Sequence, residues 1–217
     1  MASPARAFSI RRLRRSDLPV DTIELARYLV GKTIVHDLGR SRLSGRIVET
    51  EAYPLGDAAG HAYRGETRAN HSLFLERGHA YIYFAYGSAW MLNVSAERAG
   101  IGGGVLIRGV EPLEGLALMR RARGACEHRD LTRGPGRLAQ ALRIDKSFDG
   151  LDLCSPQSPL WLGDAVQPPV EIGVTTRIGL SREAHRQLRF FERGSPFVSG
   201  PARLLRNAFS TESSPAF

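Results

Sequence analysis

The chain is short of cysteine, of lysine and of long apolar runs, and each shortage excludes something. Cys126 and Cys154 are its only cysteines, too few for a disulfide framework or a zinc cluster, so a reducing intracellular setting is the simpler inference. No apolar run approaches the ~20 residues of a membrane span, so no membrane partner is expected. The six histidines show no HExxH or comparable ligand spacing, which predicts no metal and no cofactor that depends on one. The start of the chain is rich in arginine but lacks the apolar stretch of a secretory signal; an organellar transit peptide is the alternative reading of such a start. Neither internal repeats nor a linker divide the 217 residues, which predicts one domain.

What is present in excess is positive charge. The net charge is +8 and the pI about 10.2, and the excess is nearly all arginine, since Lys32 and Lys146 are the only lysines. Such a balance favours a polyanion, because cations that neutralise phosphates release condensed counterions. Codon usage would give the same arginine bias without any such partner.

The stretch from Arg46 to Arg108 organises the rest. Ile47-Val48-Glu49-Thr50-Glu51-Ala52-Tyr53 reads as a strand stopped by Pro54. Alternation puts Glu49, Glu51 and Tyr53 on one face and Val48, Thr50 and Ala52 on the other. Two carboxylates and a phenol at a strand mouth are either a solvated face or a site. The loop from Pro54 to Asn70 is long for a compact domain and carries His61, Tyr63 and Arg64. A strand from His79 to Ala85 sets Tyr81 and Tyr83 on one face; Tyr86-Gly87 is the tip of a hairpin that returns through Ala89 to Ser95. A tyrosine at a tip has no core to enter, and on a basic protein it suits a wedge between base pairs.

Around this centre the pattern predicts a flexible basic arm over residues 1–16 and a domain over 17–204. Asp21 caps a helix that Gly31 ends. Strands follow at 32–37, 43–53 and 105–111, with a flexible turn over 99–104 between the hairpin and the last of these. Pro112 is expected to open a helix over 113–123. After a polar, mobile stretch (124–132), Gly134-Pro135-Gly136 leads into a short helix over 137–142. Its first N–H groups, flanked by Arg133 and Arg137, suit a phosphate, with a plain turn as the alternative. Short strands are read at 159–162, 170–175 and 188–192, a short helix after Ser181, and a polar, disordered tail over 205–217.

Taken together, Glu49-Thr50-Glu51-Ala52-Tyr53, His61, Tyr81-Ile82-Tyr83-Phe84-Ala85-Tyr86-Gly87, Asn93, Val105 to Pro112 with Arg108, Arg133 to Leu138, Asp145 to Asp149 and Gly194 to Ser199 resemble 3-methyladenine DNA glycosylases of the alkyladenine type. The resemblance runs in order from about residue 20 to 200. It implies an α+β fold, a single mixed domain with a curved, largely antiparallel β-sheet, surrounding helices and a protruding hairpin. It also implies a monofunctional, cofactor-free enzyme that removes alkylated or deaminated purines from duplex DNA in base excision repair; since a clamp that closes on one lesion needs no second subunit, a monomer is expected. Such an enzyme would work in the cytoplasm (at the nucleoid) if bacterial, or in the nucleus if eukaryotic. Carried over to these positions, Glu51 would deprotonate the attacking water, with Arg108 and the carbonyl of Leu180 holding it. Tyr53, His61 and Tyr83 would enclose the flipped base, Asn93 would crowd a guanine amino group, and Tyr86 would fill the gap in the duplex. Arg133, Gly134 and Arg137 would meet the DNA backbone.

Elementary chemistry agrees with that assignment. Breaking a glycosidic bond builds positive charge on the sugar, which a carboxylate stabilises while it activates water. A charged alkylpurine is already a good leaving group, so one carboxylate suffices where carbohydrate hydrolases use two. Two rivals stand beside it. A carbohydrate or nucleoside hydrolase would use Glu49 and Glu51 as an acid/base pair. A binding-only domain would keep the pocket and release no base.

Overall fold

In the computed structural model, residues 10–85, 87–165, 170–206 and 208–210 are described. Among them the chain forms β1 (Ile10–Arg12), α1 (Thr22–Leu29), β2 (Thr33–Asp37), β3 (Arg42–Tyr53), β4 (Ala80–Ala85), β5 (Ala89–Ser95) and β6 (Gly104–Glu114). Then follow α2 (Leu116–Arg123), α3 (Pro135–Ala141), β7 (Leu160–Ala165), β8 (Ile172–Thr175), β9 (Arg189–Glu192), α4 (Ala202–Arg206) and β10 (Phe209–Ser210). The fold is mixed α+β: one antiparallel sheet that does not close into a barrel. Its main path runs β1-β7-β2-β3-β6-β5-β4, and β9, β8 and β10 branch from it through β3. None of the described helices is long and apolar enough to cross a membrane.

Strand β3 is the hinge of this arrangement. Along one edge it pairs with β6 through residues 44–53. Along the other it pairs first with β2, over residues 42–46, and then with β9, over residues 49–51. Its register against β6 slips between Ile47 and Thr50, and a bulge of that kind breaks strict two-residue alternation. Ile47 and Ala52 therefore both enter the main core, while Val48 packs with Phe191, Phe197 and Val198 in a second cluster. The expected shared face of Val48, Thr50 and Ala52 is corrected at Val48 for that reason.

Local chemistry accounts for the elements that cover the sheet. Asp21 accepts hydrogen bonds from the N–H groups of Ile23 (2.8 Å) and Glu24 (2.9 Å), the expected N-cap of α1. Leu25, Ala26 and Leu29 turn inward, and the Thr50 hydroxyl of β3 donates to the Ala26 carbonyl at 2.8 Å. Leu138, Ala139 and Ala141 of α3 and Met119 of α2 complete the main core.

Two expected helices differ in the structure. Pro112 does not open one: it sits within β6 opposite Gly45, where the β3 register shifts and a proline can be accommodated. The turn into α2 is made three residues later by Gly115, at φ +79°, a conformation that favours glycine. After Ser181 there are only bends and turns. Glu183 lies at φ +50°, which no α-helix permits. The described chain also extends the sheet beyond 17–204 at both ends, because β1 pairs with β7 and β10 with β8.

Candidate active site

A cavity of about 380 Å³ opens between the hairpin, the loop after β3 and the loop after β8. Strand alternation supplies its walls. Tyr81 and Tyr83 of β4, Met91 and Asn93 of β5, and Leu106 and Arg108 of β6 all line it, while Ile82, Leu92 and Ile107 point into the core. Tyr53, His61 and the segment Ile178-Gly179-Leu180 close the remaining sides.

Glu51 lies fully buried against this cavity, behind three partners that line it. Its carboxylate accepts from the Ile178 N–H at 2.8 Å, the Tyr53 hydroxyl at 3.0 Å and the Arg108 Nη1 at 3.2 Å. Burial, reinforced by the charge and hydrogen bond of Glu51, pushes the Tyr53 phenol well above its ordinary range.

Arg108 is shared. Its Nε donates to Glu49 at 3.0 Å while Nη1 reaches Glu51. Burial alone would lower its pKa, but the two carboxylates outweigh burial and raise it. Glu49 is committed elsewhere: it accepts from Arg189 Nε (2.7 Å), the Ser199 N–H (2.6 Å) and the Ser199 hydroxyl (3.0 Å). Burial acts to raise its pKa, and the Arg189 and Arg108 charges with the Ser199 N–H hold it below the usual carboxylate range. Arg189 and Ser199 do not line the cavity, whereas all three partners of Glu51 do, which speaks against the hydrolase that would pair Glu49 with Glu51.

The loop from Pro54 to Asn70 is a chain of turns rather than an irregular strand of residues. Backbone bonds run from Asp57 to Pro54, Gly60 to Asp57, Tyr63 to Gly60 and Gly65 to Ala62. Asn70 ties the loop's second half together. The side-chain amide donates to the carbonyls of His61 (2.9 Å) and Gly65 (3.0 Å), and its oxygen accepts from the Thr67 N–H (2.6 Å) and hydroxyl (2.9 Å). His61 Nδ1 shares a 2.8 Å hydrogen bond with the Tyr81 hydroxyl, and its ring centroid lies 4.4 Å from that of Tyr83. His61 keeps an exposed edge, yet the burial of its inner edge lowers its pKa, which favours a neutral imidazole. Asn93 donates from its amide to the Tyr81 carbonyl at 3.2 Å and lines the cavity.

The structure thus gathers Tyr53, His61, Tyr83, Asn93, Arg108 and Leu180 around one cavity, with Glu51 against it. Tyr86, the expected wedge, lies outside the described residues. Gly134, at φ +119°, precedes α3, and Pro135 touches the cavity. The flanking arginines are turned to Asp130: Arg137 at 2.8 Å, and Arg133 at 3.8 Å while its Nε donates to the Val198 carbonyl. Sequence reasoning missed Arg189, Ser199, Arg177 and Asp57. Only Ser199, within the Gly194 to Ser199 motif, carried a signal that could have found it.

A family model described as methylpurine-DNA glycosylase matches residues 16–196. The chain belongs to that family. It is a DNA glycosylase, and DNA is its substrate. Among similar proteins, one from Mesorhizobium japonicum is 64% identical over 192 residues, covering 88% of this chain and 92% of the relative. One from Paraburkholderia phytofirmans is 58% identical over 193 residues, with 89% and 90% covered. One from Chlorobaculum tepidum is 44% identical over 193 residues, with 88% and 91% covered. All three are provisionally named 3-methyladenine DNA glycosylases.

Proposed function

We propose that this glycosylase removes alkylated and deaminated purines, of the 3-methyladenine, 7-methylguanine, hypoxanthine and ethenoadenine class, from duplex DNA. It does so by hydrolysing the N-glycosidic bond with a water that Glu51 activates, and leaves an abasic site. The observation that carries the reading is the fixed carboxylate of Glu51, gripped by Arg108, Tyr53 and the Ile178 N–H against an aromatic cavity.

In this mechanism the damaged base leaves the stack, which is easiest where pairing is already weakened. It enters between Tyr53, His61 and Tyr83. Tyrosine faces attract electron-poor or cationic rings by about 0.5–2 kcal/mol. Asn93 crowds an exocyclic amino group at C2 of the purine. Glu51 takes a proton from water as the water attacks C1′, with Arg108 and the Leu180 carbonyl orienting it, and the base departs with the bonding electron pair. Tyr86 fills the vacated stack, while Arg133, Gly134 and Arg137 hold the backbone. The protein acts as a monomer and needs no cofactor.

The test uses a labelled duplex holding one hypoxanthine, 3-methyladenine or 1,N6-ethenoadenine, scored by alkali-sensitive strand breaks. Wild-type protein yields breaks at the lesion. Glu51→Gln keeps lesion binding and loses excision by on the order of 10²–10⁴-fold; sustained turnover in that variant would overturn the role of Glu51. Binding without any abasic product from the wild type would favour a recognition-only domain. Tyr86→Ala is expected to reduce excision from duplex far more than from single strands.

A further inference from the structure

Beneath the cavity lies an ion pair that the mechanism above does not use. Arg177 and Asp57 are both buried, with no side-chain exposure at all. The Arg177 guanidinium reaches Asp57 twice, at 2.6 and 3.1 Å, and donates to the Ala52 carbonyl at 2.9 Å. Its centre also lies 4.6 Å from the ring centroid of Tyr53. The pair links two loops more than a hundred residues apart in sequence: the turn chain that carries His61 and the segment that carries Ile178 and Leu180. Arg186 adds a third contact to Asp57 at 3.4 Å. The next residue along from Arg177 supplies the N–H that holds Glu51.

We propose that Arg177, anchored by Asp57, is a positioning residue for base excision. It aims the Ile178 N–H at Glu51 and supports Tyr53 from behind. The inference rests on Glu51 being the general base. A planar five-donor cation is required because one group must meet two carboxylate oxygens, a carbonyl and a ring face together; an ammonium cannot do so. A salt bridge placed only for stability would be a poor choice here, since well-packed apolar residues often replace buried pairs at no loss. Misplacing a reacting group by about 1 Å can cost on the order of 10²-fold in rate.

Leaving-group chemistry separates positioning from general stabilisation. A cationic methylpurine departs readily, whereas neutral hypoxanthine needs more from the water and its base. A displaced Glu51 therefore slows hypoxanthine release more than methylpurine release. A smaller share of folded molecules slows both equally.

The experiment measures single-turnover excision of hypoxanthine and of 7-methylguanine from duplex DNA by Arg177→Lys and Asp57→Asn. Rates are expressed per lesion-binding site, counted by titration with labelled lesion duplex, with Glu51→Gln run alongside. The expected result is lesion affinity within about threefold of wild type and hypoxanthine excision lower by roughly 10- to 100-fold, the scale of such misplacement. The loss on 7-methylguanine should be clearly smaller. Wild-type rates per site, or equal losses on both bases, overturn the positioning role. Should Arg177→Lys not fold, the same measurement on Asp57→Asn decides. If Glu51→Gln itself remains active, the underlying reading of Glu51 fails. If Glu51→Gln is inactive and both loop variants are normal, only this inference falls.

Discussion

The two halves of β3 are built by different rules. From Arg42 to Arg46 the strand pairs with β2, Leu43 and the following Ile47 enter the core, and Arg42 turns toward the rim while Arg46 pairs with Glu111 and Glu192. There Arg42 meets Asp37 at 2.8 Å with both side chains more than a third exposed. From Glu49 to Glu51 the strand pairs with β9 instead, and Glu49, Thr50, Glu51 and Ala52 have no exposed surface. The first half obeys the ordinary division of apolar inside and charged outside. The second buries two carboxylates two residues apart and must surround them with arginines and N–H groups, because a buried charge without partners is very costly. The first half serves packing alone. On the proposed function, the second serves chemistry as well as stability.

The sharpest way to break this contrast lies within the second half. Glu51→Gln is expected to lower excision by on the order of 10²–10⁴-fold while leaving the urea midpoint near wild type. Glu49 should behave in the opposite sense. Removing it strands the buried guanidinium of Arg189, so Glu49→Ala is expected to cost about 3–5 kcal/mol in urea unfolding. Equal loss of excision in matched, folded Gln variants of both glutamates would restore the acid/base pair.

Glu49 also gives the contrast a pH signature. Its folded-state pKa lies below the ordinary value of 4.5. Its contribution to stability is therefore complete above that value and is lost as pH falls through the lowered one. Urea midpoints measured from pH 7 down to pH 3 should fall at the acid end for the wild type and fall less for Glu49→Ala. In the first half, Ile47→Val should cost about 0.5–1.5 kcal/mol with excision per folded molecule unchanged. Arg42→Ala is expected to be the mildest, about 0.2–1 kcal/mol, and to weaken further in added salt.

The same contrast explains what was legible in the sequence. The approximate strand positions, the paired strands of the hairpin, the Asp21 cap and the shared face of Glu51 and Tyr53 follow from neighbours a few residues apart, and these appear in the structure. His61 could be placed near Glu51 because its loop leaves directly from β3. The partners of the carboxylates could not be placed so. Arg189 and Ser199 reach Glu49 across separations of 140 and 150 residues, and Ile178 reaches Glu51 across 127. No local period encodes such contacts. The misreadings have local causes of their own: Pro112 resembles a helix start until Gly45 and the register shift beside it are seen, and Val48 alternates correctly until the bulge displaces it.

Asn70 has a consequence for the energetics of capture. With both hydrogens and its oxygen engaged inside one loop, the wall that bears His61 is fixed when the chain folds. On the proposed function, an incoming nucleotide would meet a finished surface, with none of its binding free energy diverted to immobilising a wandering segment. Conversion of this one amide to an acid would set a negative oxygen against two carbonyls that now receive hydrogens. The receptacle would loosen at a position that does not itself line the cavity.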